Sequence, residues 1–193
     1  MTASRRRLDP AARRLEIVEA AERVIRRLGA SARVEDVVRE AGAAKGTFYL
    51  YFPTWEALLA CLRDRTFAAF DTRFPVPAIP EADWLTVVNT LATGFVEFVL
   101  ELEGLHEAIF HGALAKTAEP GSSDSATLRI AALLRAGAAA GVLAQLDPEP
   151  TARLIFAVLH ETVDAIAQGE DRARAIGAMR AILTRTLTPA PSA

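Results

Sequence analysis

The sequence predicts an all-α fold of about nine helices, with an N-terminal helix-turn-helix three-helix domain ahead of a larger helical bundle. Three observations predict it. Apolar residues recur at helical spacing from end to end, without the alternation that marks strands. Chain breakers fall at helix-length intervals: Gly29, Gly42, Pro53, the Pro75/Pro77/Pro80 cluster, Gly104, Pro120-Gly121, Gly141, Pro148/Pro150, Gly169 and Pro189. Finally, 193 residues that are 51% hydrophobic and 24% charged can bury a core, which a disordered chain cannot.

The first helix is expected from about Pro10 to Leu28, with Ile17, Ala21, Val24, Ile25 and Leu28 as its apolar face and Gly29 free to take the positive φ that ends it. A short second helix, about Val34 to Ala41, carries Val34, Val37, Val38 and Ala41 inward, and Gly42 stops it. The third, about Lys45 to Tyr51, is anchored by Phe48 with Phe52 four residues on. Pro53 breaks the chain, and Thr54 is placed to cap a long fourth helix through Phe70. Segment 81–103 is apolar almost all round, as a buried bundle helix should be. The last two helices, about 150–168 and 171–187, combine aliphatic residues with Ala157, Ala165, Gly177, Ala178 and Ala181, which permit close helix approach.

Charge divides the chain. Residues 1–65 hold 13 Lys and Arg against 9 Asp and Glu, a net +4, whereas residues 66–193 carry −6. A basic head on an acidic body suits an anionic partner for the head alone. The single cysteine, Cys61, excludes a disulfide framework and a Cys-rich zinc site, and fits a cytoplasmic protein. The basic start Met1 to Arg7 lacks the apolar core of a secretion signal, and no apolar run reaches the roughly 18 residues of a membrane span.

The second and third helices form a helix-turn-helix candidate. Valines pin the first helix of the pair, the glycine turn holds the second out, and Lys45, Thr47, Tyr49 and Tyr51 are left to face outward while Gly46 lets backbone approach a phosphate. Pattern alone equally allows three packed helices with a solvated polar face. Upstream, Arg5 to Arg7 and Arg13-Arg14 read either as an arm for DNA or as a solvated helix start.

The run Val34 to Gly42, then Lys45-Gly-Thr-Phe-Tyr-Leu-Tyr-Phe-Pro53, then Glu56-Ala-Leu-Leu59, resembles the DNA-binding domain of the TetR/AcrR family of bacterial transcriptional regulators, without a gap over about residues 13–60. The resemblance implies a homodimer that binds a palindromic double-stranded operator as a repressor and releases it when a small molecule enters the C-terminal domain. It divides the chain into a DNA-binding domain, 1–58, and a ligand-binding and dimerisation domain, 59–193. It places Lys45, Gly46 and Thr47 at the groove, Tyr49 and Tyr51 on phosphates, and Thr54 as a cap near the backbone. Three positions depart from the family pattern. Arg33 stands where a Thr cap is usual, although Asp36 can complete the capping box; Ala44 stands where Ser is usual; and Trp55 replaces a phosphate-binding Lys, a contact that Arg33 can take over.

In the body, a filled core is the simpler reading of the residues, while the resemblance implies a pocket for a small, largely apolar effector. Candidate ligand contacts are Asn89, Thr93, Phe95, Phe98, His106, Phe110 and His160. His106 and His111, five apart, should diverge by about 140° on an α-helix, and His160 with Asp164 supplies two ligands only, so neither a metal nor a cofactor is expected. Candidate dimer residues are Ile155, Val158, Thr162, Val163, Ile166, Ile176, Met179 and Leu183, on two helices that would meet their symmetry mates. No nucleophile elbow, P-loop or dinucleotide fingerprint is present, so an enzyme is not expected. The competing expectation is a small-molecule-binding or interaction protein that keeps the scaffold and binds DNA weakly.

Overall fold

The computed structural model describes residues 9–76, 84–111 and 125–189. Among them are nine α-helices and no strand: α1 (Pro10–Leu28), α2 (Val34–Glu40), α3 (Lys45–Tyr51), α4 (Trp55–Arg73), α5 (Trp84–Leu100), α6 (Gly104–His106, running on as a π-helical turn Glu107–His111), α7 (Ser125–Ala139), α8 (Pro148–Ala167) and α9 (Arg172–Leu187). No single described helix is long and apolar enough to cross a membrane. Arg5 to Arg7 lie outside the described residues.

The chain divides into two compact units, residues 1–65 with 102–118 and residues 66–101 with 119–193. A division at 58/59 assigns 102–111 to the C-terminal body, but the structure packs this segment in the first unit. The reason is local. Gly104 has no side chain, and a Cβ there would lie 2.9 Å from the Ile25 carbonyl oxygen and 3.1 Å from that of Arg26. The backbone of α6 therefore rests directly on the end of α1, Arg26 Nη1 donates to the Leu102 carbonyl at 3.5 Å, and Leu102, Leu105 and Ile109 are buried. Sequence spacing cannot announce that return.

In the first unit α1 buries Ile17, Val18, Ala20, Ala21, Val24 and Ile25, while Leu28, expected inside, is half-exposed at the helix end. Val37, Phe48, Phe52, Leu58, Leu59 and Leu62 complete the core. Gly29 and Gly42 both adopt positive φ, +55° and +56°, where a side chain would be strained. In the second unit Phe95, Val96 and Val99 of α5, Leu134 of α7, Ile155, Leu159 and Val163 of α8 and Met179, Leu183 and Leu187 of α9 are buried. Asn89 ties α5 to α9: its Nδ2 donates to the Leu85 carbonyl at 2.8 Å and to Thr184 Oγ1 at 3.1 Å.

Candidate nucleic-acid interface and ligand cavity

The helix-turn-helix is held by side chains that the sequence offered as DNA contacts or as solvated residues. Arg13 donates to the carbonyls of Ala41 at 3.4 Å and Gly42 at 3.2 Å, so it ties the turn between α2 and α3 to α1. The Arg14 guanidinium lies 4.9 Å from the centre of the Phe52 ring and donates to Cys61 Sγ at 3.3 Å. Both arginines therefore have structural work in positioning α3.

Caps follow the sequence expectation. The Arg33 amide donates to Asp36 Oδ2 at 3.1 Å, and Arg33 Nη1 is taken up by the carbonyls of Ala30 and Ala32 at 2.9 and 2.8 Å. Thr54 Oγ1 accepts from the Ala57 amide at 3.1 Å and starts α4. At Ala44 no side chain caps α3. Trp55 is half-buried and borders a hollow of about 350 Å³ shared with Arg33, Glu35, Tyr49 and Leu59.

On α3, Phe48 is fully buried and packs edge-on against Tyr49, with ring centres 5.3 Å apart, and against Phe52 at 5.8 Å. At about 100° per residue the opposite side of the helix is Gly46, Thr47 and Leu50. Lys45, Gly46, Tyr49 and Leu50 are exposed, Thr47 and Tyr51 half-buried, and Thr54 and Arg33 exposed. Leu50 was not among the expected contacts, yet it is 76% exposed, in the centre of the outward face. A signal was available: an apolar residue two places after the anchor Phe48 points away from the core. Lys45 Nζ meets Glu35 Oε1 of α2 at 2.5 Å. The hydrogen bond between them lowers the Glu35 carboxyl pKa and raises that of the Lys45 ammonium. The recognition-helix lysine is thus already paired with a carboxylate.

In the second unit a cavity of about 440 Å³ opens between α4, α5, α7, α8 and α9. Its wall includes Phe67, Phe70, Phe74, Trp84, Phe95 and Phe156, and its charged lining residues are Asp71 and Arg129, which form an ion pair. Of the expected ligand contacts, only Phe95 lines it. Asn89 lies off the cavity wall, its Nδ2 engaged within α5 and across to α9 and its Oδ1 buried without a hydrogen-bond partner among the described residues. Thr93 and Phe98 are half-buried off the cavity wall, Phe98 packing on Phe70 with ring centres 5.6 Å apart. His160 sits behind the wall, edge-on to Phe156 and Phe95 at 4.4 and 5.5 Å. His106 and Phe110 belong to the first unit, where their rings lie 5.4 Å apart. The divergence expected of His106 and His111 is corrected too. The π-helical turn Glu107–His111 brings residues five apart onto one side, and the two rings meet at 4.9 Å.

The expected dimer residues fall largely inside the protomer. Ile155, Thr162, Val163, Met179 and Leu183 are buried, and Val158, Ile166 and Ile176 are half-buried. The large apolar residues left outward on the two helices are Leu154, 69% exposed, and Ile182, 49% exposed. Beside them Ala157, Gly177, Ala178 and Ala181 are exposed, and a Cβ at Gly177 would meet only open space. Leu154 and Ile182 were not among the expected dimer residues.

Residues 17–62 match the family model described as bacterial regulatory proteins, tetR family. No curated protein matches the chain. Solved structures that resemble it include one described under the molecular basis for control of antibiotic production by bacterial hormones (23% identity, 91% of this chain and 97% of that chain, TM-score 0.67). A TetR-family transcriptional regulator from Pectobacterium atrosepticum is 24% identical over 94% of this chain and 95% of its own, at a TM-score of 0.65. RolR in complex with resorcinol is 19% identical over 92% and 88%, at a TM-score of 0.72. At these identities the likeness is one of fold.

Proposed function

We propose that this chain, whose residues 17–62 carry the tetR family signature on a TetR-like all-α fold, is a homodimeric repressor that leaves a palindromic operator when a small, largely apolar molecule binds its C-terminal unit. The observation that carries the reading is α3, a short helix anchored by Phe48 with Lys45, Gly46, Tyr49 and Leu50 outward. Lys45, Tyr49, Tyr51, Arg33 and the capped turn at Thr54 serve the phosphates. Gly46 and Thr47 let the helix approach the base edges.

Leu50 adds a contact of a different kind. An aliphatic side chain at the centre of a helix in the major groove is suited to the 5-methyl group of thymine. Replacing the relevant thymine by deoxyuridine should weaken the parent by about 1 kcal/mol and leave Leu50→Ala unaffected. Equal losses for the two proteins across every thymine of the selected operator would remove Leu50 from base reading.

Phosphate binding requires Lys45 to leave Glu35. Lys45→Ala should lower the salt slope of binding by about 1. Glu35→Gln should strengthen binding to all sequences alike, because it removes a negative charge beside the phosphates. A salt titration in which both variants follow the parent would displace Lys45 from the interface.

Two relatives lend support to the effector. The solved structure of RolR holds resorcinol, and a second similar structure is described in terms of bacterial hormones. The cavity wall supports it as well, since α4 supplies Phe67, Phe70 and Asp71 to that wall and has its first turn capped by Thr54. Two recognition helices must sit about 34–36 Å apart, or a multiple of it, to meet successive major grooves. A ligand that tilts α4 changes that spacing, and by linkage the operator weakens the ligand by the same factor.

The direct test is a gel shift with DNA upstream of the chain's own gene, repeated with candidate ligands. No shift at low salt favours the second reading, a small-molecule-binding protein with weak DNA binding, for which the uncapped α3 at Ala44 and the Lys45–Glu35 pair speak.

A further inference from the structure

The cavity constrains the chemistry of what fills it. Its volume of about 440 Å³ lies in the lower part of the range of about 300–1,000 Å³ for small-molecule sites, which suits two or three rings or a short chain. Its wall is aromatic and aliphatic. The charged side chains on that wall are Asp71 of α4 and Arg129 of α7, and they neutralise one another. Burial pushes the Arg129 pKa below its ordinary value, which agrees with a guanidinium drawn partly out of water.

We propose, building on the effector reading above, that the ligand is an uncharged, mainly aromatic or alicyclic molecule with one hydroxyl or amide group. That group sits at the Asp71–Arg129 pair, donating to the carboxylate and accepting from the guanidinium.

Charge balance at the pair selects the head group. An anionic head beside Arg129 would leave two negative charges against one positive in a site with little other polarity. A cationic head beside Asp71 would leave the opposite excess. Either surplus charge gives up part of its water without gaining a partner. A fully apolar ligand covers the pair and satisfies none of its spare donors and acceptors. A hydroxyl or amide offers one donor and one acceptor, so it bridges the pair and leaves its charges matched. The guanidinium has five N–H donors, more than one carboxylate uses.

The test holds the ring system constant and changes only the head. Calorimetry on the full chain near pH 7 would compare 2-naphthol, 2-naphthoate, 2-naphthylmethylammonium and 2-methylnaphthalene. A phenolic hydroxyl, with a pKa near 10, remains neutral there. The parent should bind 2-naphthol at least tenfold more tightly than each of the other three. Asp71→Asn should turn the preference towards 2-naphthoate, because Arg129 then faces the cavity as an unmatched cation. Arg129→Gln should turn it towards the ammonium probe. Both side chains are partly exposed, and thermal melts check that the variants remain folded.

Tightest binding of the anion or the cation by the parent overturns the head-group assignment while leaving the effector reading intact. Preferences that do not cross over in the two variants also overturn it. Failure of all four probes to bind the parent at millimolar concentration removes the cavity as a ligand site, and the effector reading with it.

Discussion

Glutamate at both Leu154 and Ile182 is expected to give a folded monomer that has lost most of its hold on a palindromic operator. The two side chains are the large apolar groups left outward on α8 and α9. They lie among exposed Ala157, Gly177, Ala178 and Ala181, which permit close packing with a symmetry mate. Four added carboxylates in a two-fold interface would be desolvated without partners. Losing the dimer converts a paired contact with two half-sites into single contacts, a fall of about 10²–10⁴ in affinity. Because both positions face solvent in the protomer, its thermal stability should hardly change. Val163→Asp is the contrasting variant. It puts an unpaired charge at a fully buried position and should unfold the second unit rather than release a monomer. Sedimentation showing an intact dimer for the Leu154/Ile182 double variant would place the interface elsewhere.

Phe48→Ala should be the costliest single truncation near the recognition helix. The ring is fully buried, touches Tyr49 edge-on and packs on Phe52, and it anchors a helix of only seven residues. So short a helix has little stability of its own. Removing a buried phenylalanine costs about 3–5 kcal/mol, a large part of the roughly 5–15 kcal/mol that keeps a domain folded. The urea midpoint should drop sharply, with DNA binding falling in parallel at every salt concentration. Phe48→Leu, closer in volume, should recover most of both. An unchanged midpoint for Phe48→Ala would mean that α3 is held by something other than its aromatic anchor.

By itself the sequence determined the helix order, most helix ends to within a few residues, and the family resemblance of the helix-turn-helix. These depend on local physics. A glycine at Gly42 and the Thr54 hydroxyl decide where α2 stops and α4 starts, whatever lies further away. Phe48 and Phe52 four residues apart define the buried side of α3 wherever the helix docks.

Tertiary structure decided which apolar residues remained free. On α8 and α9 every aliphatic residue looks alike along the chain, and only the packing of these helices with α5 and α7 buries Val163 and Leu183 while leaving Leu154 and Ile182 outside. It also decided the ligand wall. Asn89 reads along the chain as a ligand contact, yet it lies off the cavity wall with its amide nitrogen on the Leu85 carbonyl and on Thr184 Oγ1, 95 residues away. Asp71 and Arg129, unremarkable on their own helices, become the polar feature of an apolar cavity because folding brings α4 and α7 together. The same holds for α6, whose place against α1 depends on a missing side chain at Gly104 and a close backbone approach. Periodicity reports which side of a helix is buried, but not which partner buries it, and the partner is set by contacts between residues far apart in the chain.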